Sequence, residues 1–193
     1  MRIIDVRIGI AYRFSQLGFT ASGHLDTTHN ELESQWGLST HASALWRPNR
    51  YLGLGLDFGY GFQSSTAMNS GVGGGEDSEL RVSTSSISLG LALQVSFPIW
   101  IMEVGGSLGI GWLRTMARAE INNLNFGGWE DFPSGDRDLN DPYGSGWLWA
   151  DFWITDGFAL GLYGGFLVSL RERVELPIND FHVGLRSTLR VGF

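Results

Sequence analysis

The chain contains neither cysteine nor lysine. The first absence removes disulfides and thiolate metal sites, and it is compatible with export through an oxidising compartment. The second makes arginine the source of all 13 basic charges, which is unusual for a surface that faces water. No run of about 18 apolar residues occurs, so a membrane-spanning helix is excluded. Positive charge is neither abundant nor clustered, and the formal net charge is -7. Phosphate binding needs a concentrated basic patch, so nucleic acid is not an expected partner. Only 17% of the residues are charged, against 28 glycines and 13% aromatic residues. That balance predicts strands with small residues on one face and large apolar side chains on the other. At 193 residues, with nothing resembling a linker, the expectation is one domain over 1–193. The chain opens directly on a strand pattern, without a charged n-region and apolar h-region, so for an exported protein the signal peptide is expected to have been removed from this sequence.

Helical periodicity is weak throughout, whereas alternation recurs in eight blocks separated by turn chemistry. The blocks cover residues 2–14, 34–47, 51–63, 81–97, 99–113, 146–154, 158–171 and 181–193. In the third, Leu52, Leu54, Leu56, Phe58, Tyr60 and Phe62 alternate with Gly53, Gly55, Asp57, Gly59 and Gly61. In the fifth, Trp100, Met102, Val104, Leu108, Ile110 and Trp112 oppose Glu103, Gly105, Ser107, Gly109 and Gly111. Pro98 is expected to end the fourth block. The sixth is ambiguous: keeping Asp151 off the apolar face puts Trp147, Trp149 and Trp153 beside it, and a bulge near Asp151 would relieve this crowding. Connections alternate between short turns (Pro48-Asn49-Arg50, the Pro98 region, Thr155-Asp156-Gly157) and long loops (15–33, 64–80, 115–145).

The final block is the most specific. Phe181, Val183, Leu185, Leu189, Val191 and Phe193 share one face, and His182, Gly184, Arg186, Thr188, Arg190 and Gly192 the other. It resembles the closing strand of a bacterial outer-membrane β-barrel, in which a terminal Phe preceded by apolar residues at every second position is read by the barrel assembly machinery. The whole chain resembles the OmpA/OmpX/OmpW-like group in strand count and loop asymmetry. The resemblance implies an all-β, eight-stranded antiparallel up-and-down transmembrane barrel in the bacterial outer membrane, monomeric, with outer-membrane lipid and lipopolysaccharide around it. A soluble barrel or sandwich that buries the apolar face is the competing architecture. Two observations weigh against it. The polar faces are mostly Gly, Ala and Ser, which suits a narrow lumen. The pairs Trp36/Trp46 and Trp100/Trp112 stand about ten residues apart, roughly 25 Å of rise along tilted strands, the height of an apolar band between aromatic girdles. Trp36, Trp46, Trp100, Trp112 and Phe193 are the expected girdle.

The alternation places Asp5, Arg7, Asp57, Glu103, Asp151, Arg186 and Arg190 in the lumen, where opposite signs should pair to offset desolvation. Such a network closes the pore, and the work then falls to surface loops: binding, adhesion or envelope stability. The alternative is a channel or transporter for small solutes or hydrophobic compounds. A third reading takes His41 and Ser43 as the His and Ser of a lipid A deacylase-like site, but the deacylase motif lies late in its chain with Asn after the Ser, where this sequence has Ala44 in the second block. His41 would also need an orienting carboxylate. No catalytic role is therefore assigned, and no cofactor or metal is expected. Asp136-Arg137-Asp138-Leu139-Asn140 starts like a calcium loop, yet Asp141 stands where Gly is needed and Trp147 where the bidentate Glu belongs. Gly71-Val72-Gly73-Gly74-Gly75 lacks the Lys and the strand-to-helix context of a phosphate loop and reads as a loop tip.

Overall fold

The computed structural model describes residues 3–15, 18–19, 30–31, 35–69, 78–123, 129–131, 137–171 and 179–192. Eight long strands make the barrel: β1 (Ile3–Ser15), β2 (Gln35–Arg47), β3 (Leu52–Asn69), β4 (Ser78–Ile99), β5 (Met102–Asn123), β6 (Arg137–Thr155), β7 (Phe158–Ser169) and β8 (Asn179–Gly192). Each pairs antiparallel with its sequence neighbours, and β1 pairs with β8 from Ile3 opposite Gly192 to Ser15 opposite Asp180, so the sheet closes on itself. Closure leaves no free edge within the closed ring of strands, the condition for crossing a bilayer in β-structure. Short strand pieces at Gly18–Phe19 and Asn30–Glu31 pair with each other, and Trp129–Asp131 extends the sheet beside the end of β5.

The period-two reading fixes which way each face looks. On β6, Leu148 is 73% exposed while its neighbours Trp147 and Trp149 are 8% and 5% exposed. The same alternation runs along β3 from Leu52 to Phe62 and along β8 from Phe181 to Val191. Isoleucine, leucine, valine and phenylalanine thus clothe the outside, and the protected core lies in the lumen. A continuous apolar exterior of this extent has no place in water; it is the exterior of a transmembrane barrel.

The three tryptophans expected beside Asp151 do turn inward, and glycine makes the room for two of them. Gly165 stands opposite Trp147, and Gly105 opposite Trp149. A Cβ on Gly165 would lie 2.6 Å from the Trp147 ring, and one on Gly105 2.5 Å from Trp149. The ring of each tryptophan occupies the space its cross-strand neighbour lacks. Trp153 is half-buried and holds Arg190 over its ring, 4.0 Å from guanidinium carbon to centroid. The irregularity expected near Asp151 falls at Ile154, skipped between the pairs Thr155–Phe158 and Trp153–Ala159, and it turns none of the tryptophans outward.

Strand lengths depart from the sequence reading. β3 runs to Asn69, β4 starts at Ser78, β5 reaches Asn123 and β6 begins at Arg137, so the β3–β6 wall rises well past the apolar belt. These extensions carry residues such as Ser64, Arg114, Arg118 and Asn140. There the outward residues are polar and the inward ones, such as Val82, Ala117 and Leu139, are buried, so the apolar-outside alternation is lost while the ladder continues. At the other end Pro98 does not stop β4, which continues to Ile99 paired with Met102. The two-residue turn is Trp100-Ile101, with Trp100 at φ 55°, the left-handed backbone used by tight hairpin turns.

Candidate functional site

The lumen carries the chemistry. At the end with the short turns, Asp5 on β1 and Glu103 on β5 are held by Arg47 from β2 and Arg190 from β8. Arg190 donates to Asp5 Oδ1 at 2.8 Å and Oδ2 at 2.9 Å, and to Glu103 Oε2 at 2.9 Å. Arg47 donates to Asp5 Oδ2 at 2.8 Å, Glu103 Oε1 at 2.6 Å and Ser96 Oγ at 2.7 Å. All four carboxylate oxygens are thereby taken. Arg7 stands third in line, 3.6 Å from Asp5 and 4.0 Å from Glu103, and bonds through Nη1 to the Gln94 side-chain oxygen.

Further along, Asp151 accepts a two-pronged grip from Arg186, at 2.8 and 2.7 Å, and a third bond from Thr188 at 3.1 Å. The Trp149 ring lies within 4.8 Å of the Arg7 guanidinium carbon and 4.6 Å of that of Arg186. Cation–π contact of this kind favours desolvated guanidinium groups. Glu103 and Asp151 face each other across the β5–β6 ladder, a pairing that like charges oppose, and each is neutralised by its own arginine on β8.

The next level is aromatic and imidazole. His41 Nε2 sits 2.9 Å from Asp57 Oδ1, without a hydrogen bond between them. His41 packs 4.8 Å from the Trp147 ring, which lies 5.3 Å from His182 on its other flank. His182 Nδ1 is 2.8 Å from Ser39 Oγ, and Arg13 closes this level with Asp180 at 2.7 Å and Ser86 at 2.9 Å. Leu113, Tyr143 and Leu167 form an apolar layer beyond it. Two lumen spaces beside Trp147 measure about 20 Å³ each, room for about one water molecule.

The seven lumen residues expected from the sequence all face inward. Asp57 meets His41 in place of one of the lumen arginines. Arg47, Arg13, Asp180, Ser39 and His182 join the network without having been singled out as members. Their parity was the available signal: Arg47 shares its face with Ser43 and Leu45, and Asp180 with His182. His41 does find a carboxylate, but the serine–imidazole contact belongs to Ser39 and His182, not to Ser43. Among the described residues no group of His, Asp and Glu is arranged to hold a metal ion.

Of the girdle, Trp46 and Trp112 are half-exposed on the outer face. Trp100 is 94% exposed at the tip of the β4–β5 turn rather than on the strand face, because the strand ends one residue before it. Trp36 pairs with Phe14 through its backbone, and Phe193 lies outside the described residues. Past Trp112, Arg114 donates to Asp138 at 3.0 and 2.7 Å on the open outer wall. That guanidinium holds the Asp138 carboxyl below the usual carboxylate range.

Neither a family model nor a curated protein sequence matches the chain. Solved structures share its architecture. The outer membrane protein OprG from Pseudomonas aeruginosa superposes with a TM-score of 0.56 at 10% identity, covering 98% of this chain and 96% of that one. Neisserial surface protein A gives 0.54 at 13% identity, with 96% of each chain covered. The outer membrane protease OmpT from Escherichia coli gives 0.53 at 11% identity, with 100% and 96% covered. At such identities the likeness concerns the fold, and the fold is that of an eight-stranded outer-membrane β-barrel.

Proposed function

We propose that this chain is a monomeric barrel of the bacterial outer membrane in which the lumen is a structural plug. Its work is done at the outer surface, in binding, adhesion or stabilisation of the envelope. The observation that carries this reading is saturation of three lumen carboxylates: Asp5 and Glu103 spend every carboxylate oxygen on Arg47 and Arg190, and Arg186 and Thr188 consume Asp151. A solute path would have to open these pairs inside a low-dielectric wall, where separating one buried pair costs about 3–5 kcal/mol.

The apolar belt suits outer-membrane lipid and lipopolysaccharide as its surroundings. The β3–β6 wall carries Arg81, Arg114, Arg118, Glu120 and Asp138 outward beyond Trp112, a surface of mixed charge at the height of polar headgroups. The outward residues of β8, from Phe181 to Val191, are the segment we assign to recognition by the barrel assembly machinery. Single-channel recording of the refolded protein in planar bilayers tests the plug. Silence at physiological salt is expected, and steady, reproducible openings would replace the plug with a conducting channel.

A further inference from the structure

The outer face of the barrel is not evenly filled. Across β1–β8 its outward positions hold glycine only at Gly106, Gly144, Gly146 and Gly164, all on β5, β6 and β7. Glycine weakens a strand interior and is found where another group approaches the backbone closely. Three of the four line one apolar groove of about 850 Å³ that crosses the strands from β4 to β8. Leu93, Val95 and Phe97 wall it at the β4 end, and Phe166, Phe181 and Val183 at the other. The strand register accounts for its depth. Val95, Gly106, Leu148, Gly164 and Val183 are successive partners in one row, so each gap left by a glycine lies beside a branched side chain.

The groove is continuous with the lipid-facing belt, and its shape selects a thin occupant. Leu148 stands up between Gly106 and Gly164 and is the most exposed of the outward apolar side chains on the strands. A second barrel, broad and stiff, meets Leu148 before it can reach the glycines beside it. An acyl chain is narrow and flexible enough to lie along the floor. There it touches backbone beneath and side chains on both flanks, and gains dispersion contacts that a flat stretch of belt does not offer. The β4 end of the groove adds a charge. The Phe97 ring packs 6.4 Å from that of Tyr51, and the Arg50 guanidinium carbon lies 4.7 Å over the same tyrosine ring. Arg50 is exposed on the short β2–β3 turn and has no carboxylate partner among the described residues. Short turns of such barrels face the periplasm, so this cation stands at the headgroup level of the inner leaflet.

We propose that the groove holds one acyl chain of an inner-leaflet glycerophospholipid, which enters past Phe97 and leaves its phosphate beside Arg50. This lipid is a long-lived ligand of the barrel, distinct from the exchanging lipid around it. The inference deepens the reading of the apolar belt as lipid-facing and rests on it. Whether the lumen conducts does not bear on it.

Native mass spectrometry of the refolded barrel, loaded with dioleoyl phosphatidylglycerol in detergent and then washed with detergent alone, counts the lipids that stay. One retained lipid per barrel is expected. None retained overturns the proposal, and so does a lipid-free dimer, which would make a second copy the occupant. Gly164→Leu fills the groove from its floor, where an added Cβ meets no atom closer than 3.3 Å. It should abolish retention, and unchanged retention counts against the groove. Arg50→Gln, on an exposed turn outside the strands, should lower retention several-fold, and equal retention removes the phosphate from this site. Should Gly164→Leu not fold, the wild-type complex with bromine on the middle carbons of the chain decides by anomalous scattering. Bromine beside Leu148 is expected, and bromine elsewhere on the belt overturns the groove. Folding of the barrel without detergent or lipid would remove the lipid-facing reading itself, whereas loss of the retained lipid alone removes only this site.

Discussion

Glu103 shows how much a single side chain can carry in this lumen. It is 2% exposed and accepts from two arginines that arrive from β2 and β8. Glu103→Gln removes the charge both arginines answer and is expected to lower stability by about 3–5 kcal/mol, as removal of one partner from a buried ion pair does. Urea unfolding in lipid vesicles reads this directly. Asp138→Asn, on the open wall beside Arg114, should leave the unfolding curve unmoved, because solvent screens that pair. Gly165 supplies the opposite kind of test: Gly165→Leu forces a side chain against the Trp147 ring and should cost about 1–3 kcal/mol by overpacking. At this scale the sequence revealed the facing of each charge but not its partner. Parity along a strand says that Asp57 and Arg186 both look inward; which pairs form depends on strand tilt and stagger, and these bring His41 to Asp57 and Asp151 to Arg186.

Among the elements, β8 states the fold most economically. Leu185 lies between Ile10 of β1 and Leu162 of β7 on the outer face, in the middle of the belt. Leu185→Arg should destabilise the barrel by about 2–4 kcal/mol, the cost of a cation on the lipid face near the midplane, again by unfolding in vesicles. The eight strands were legible because lipid outside and a crowded lumen inside impose opposite chemistry on alternate residues. Where that contrast ends, legibility ended too. The outer ends of β3, β5 and β6 are paired, yet Ser64, Arg118 and Asn140 there give no apolar rhythm to follow. Trp100 was misread for a related reason: an aromatic residue continuing the alternation into a turn looks the same in sequence as one still on the strand.

As a whole, the molecule is an inverted protein, with oil-like side chains outside and ion pairs within. It should therefore fold only in detergent or lipid and migrate on gels as two forms, compact when unheated and extended after boiling. The most direct test of the inversion uses the absence of native cysteine. Single cysteines placed at 87, 88, 89, 91, 92 and 93 of β4, in the refolded protein in bilayers, are challenged with a bilayer-soluble thiol reagent. Positions 87, 89, 91 and 93, whose side chains face outward, should react, and positions 88 and 92, buried in the lumen, should be protected. Reaction at 88 and 92 with protection of the odd-numbered positions would put the apolar face inside and contradict the account.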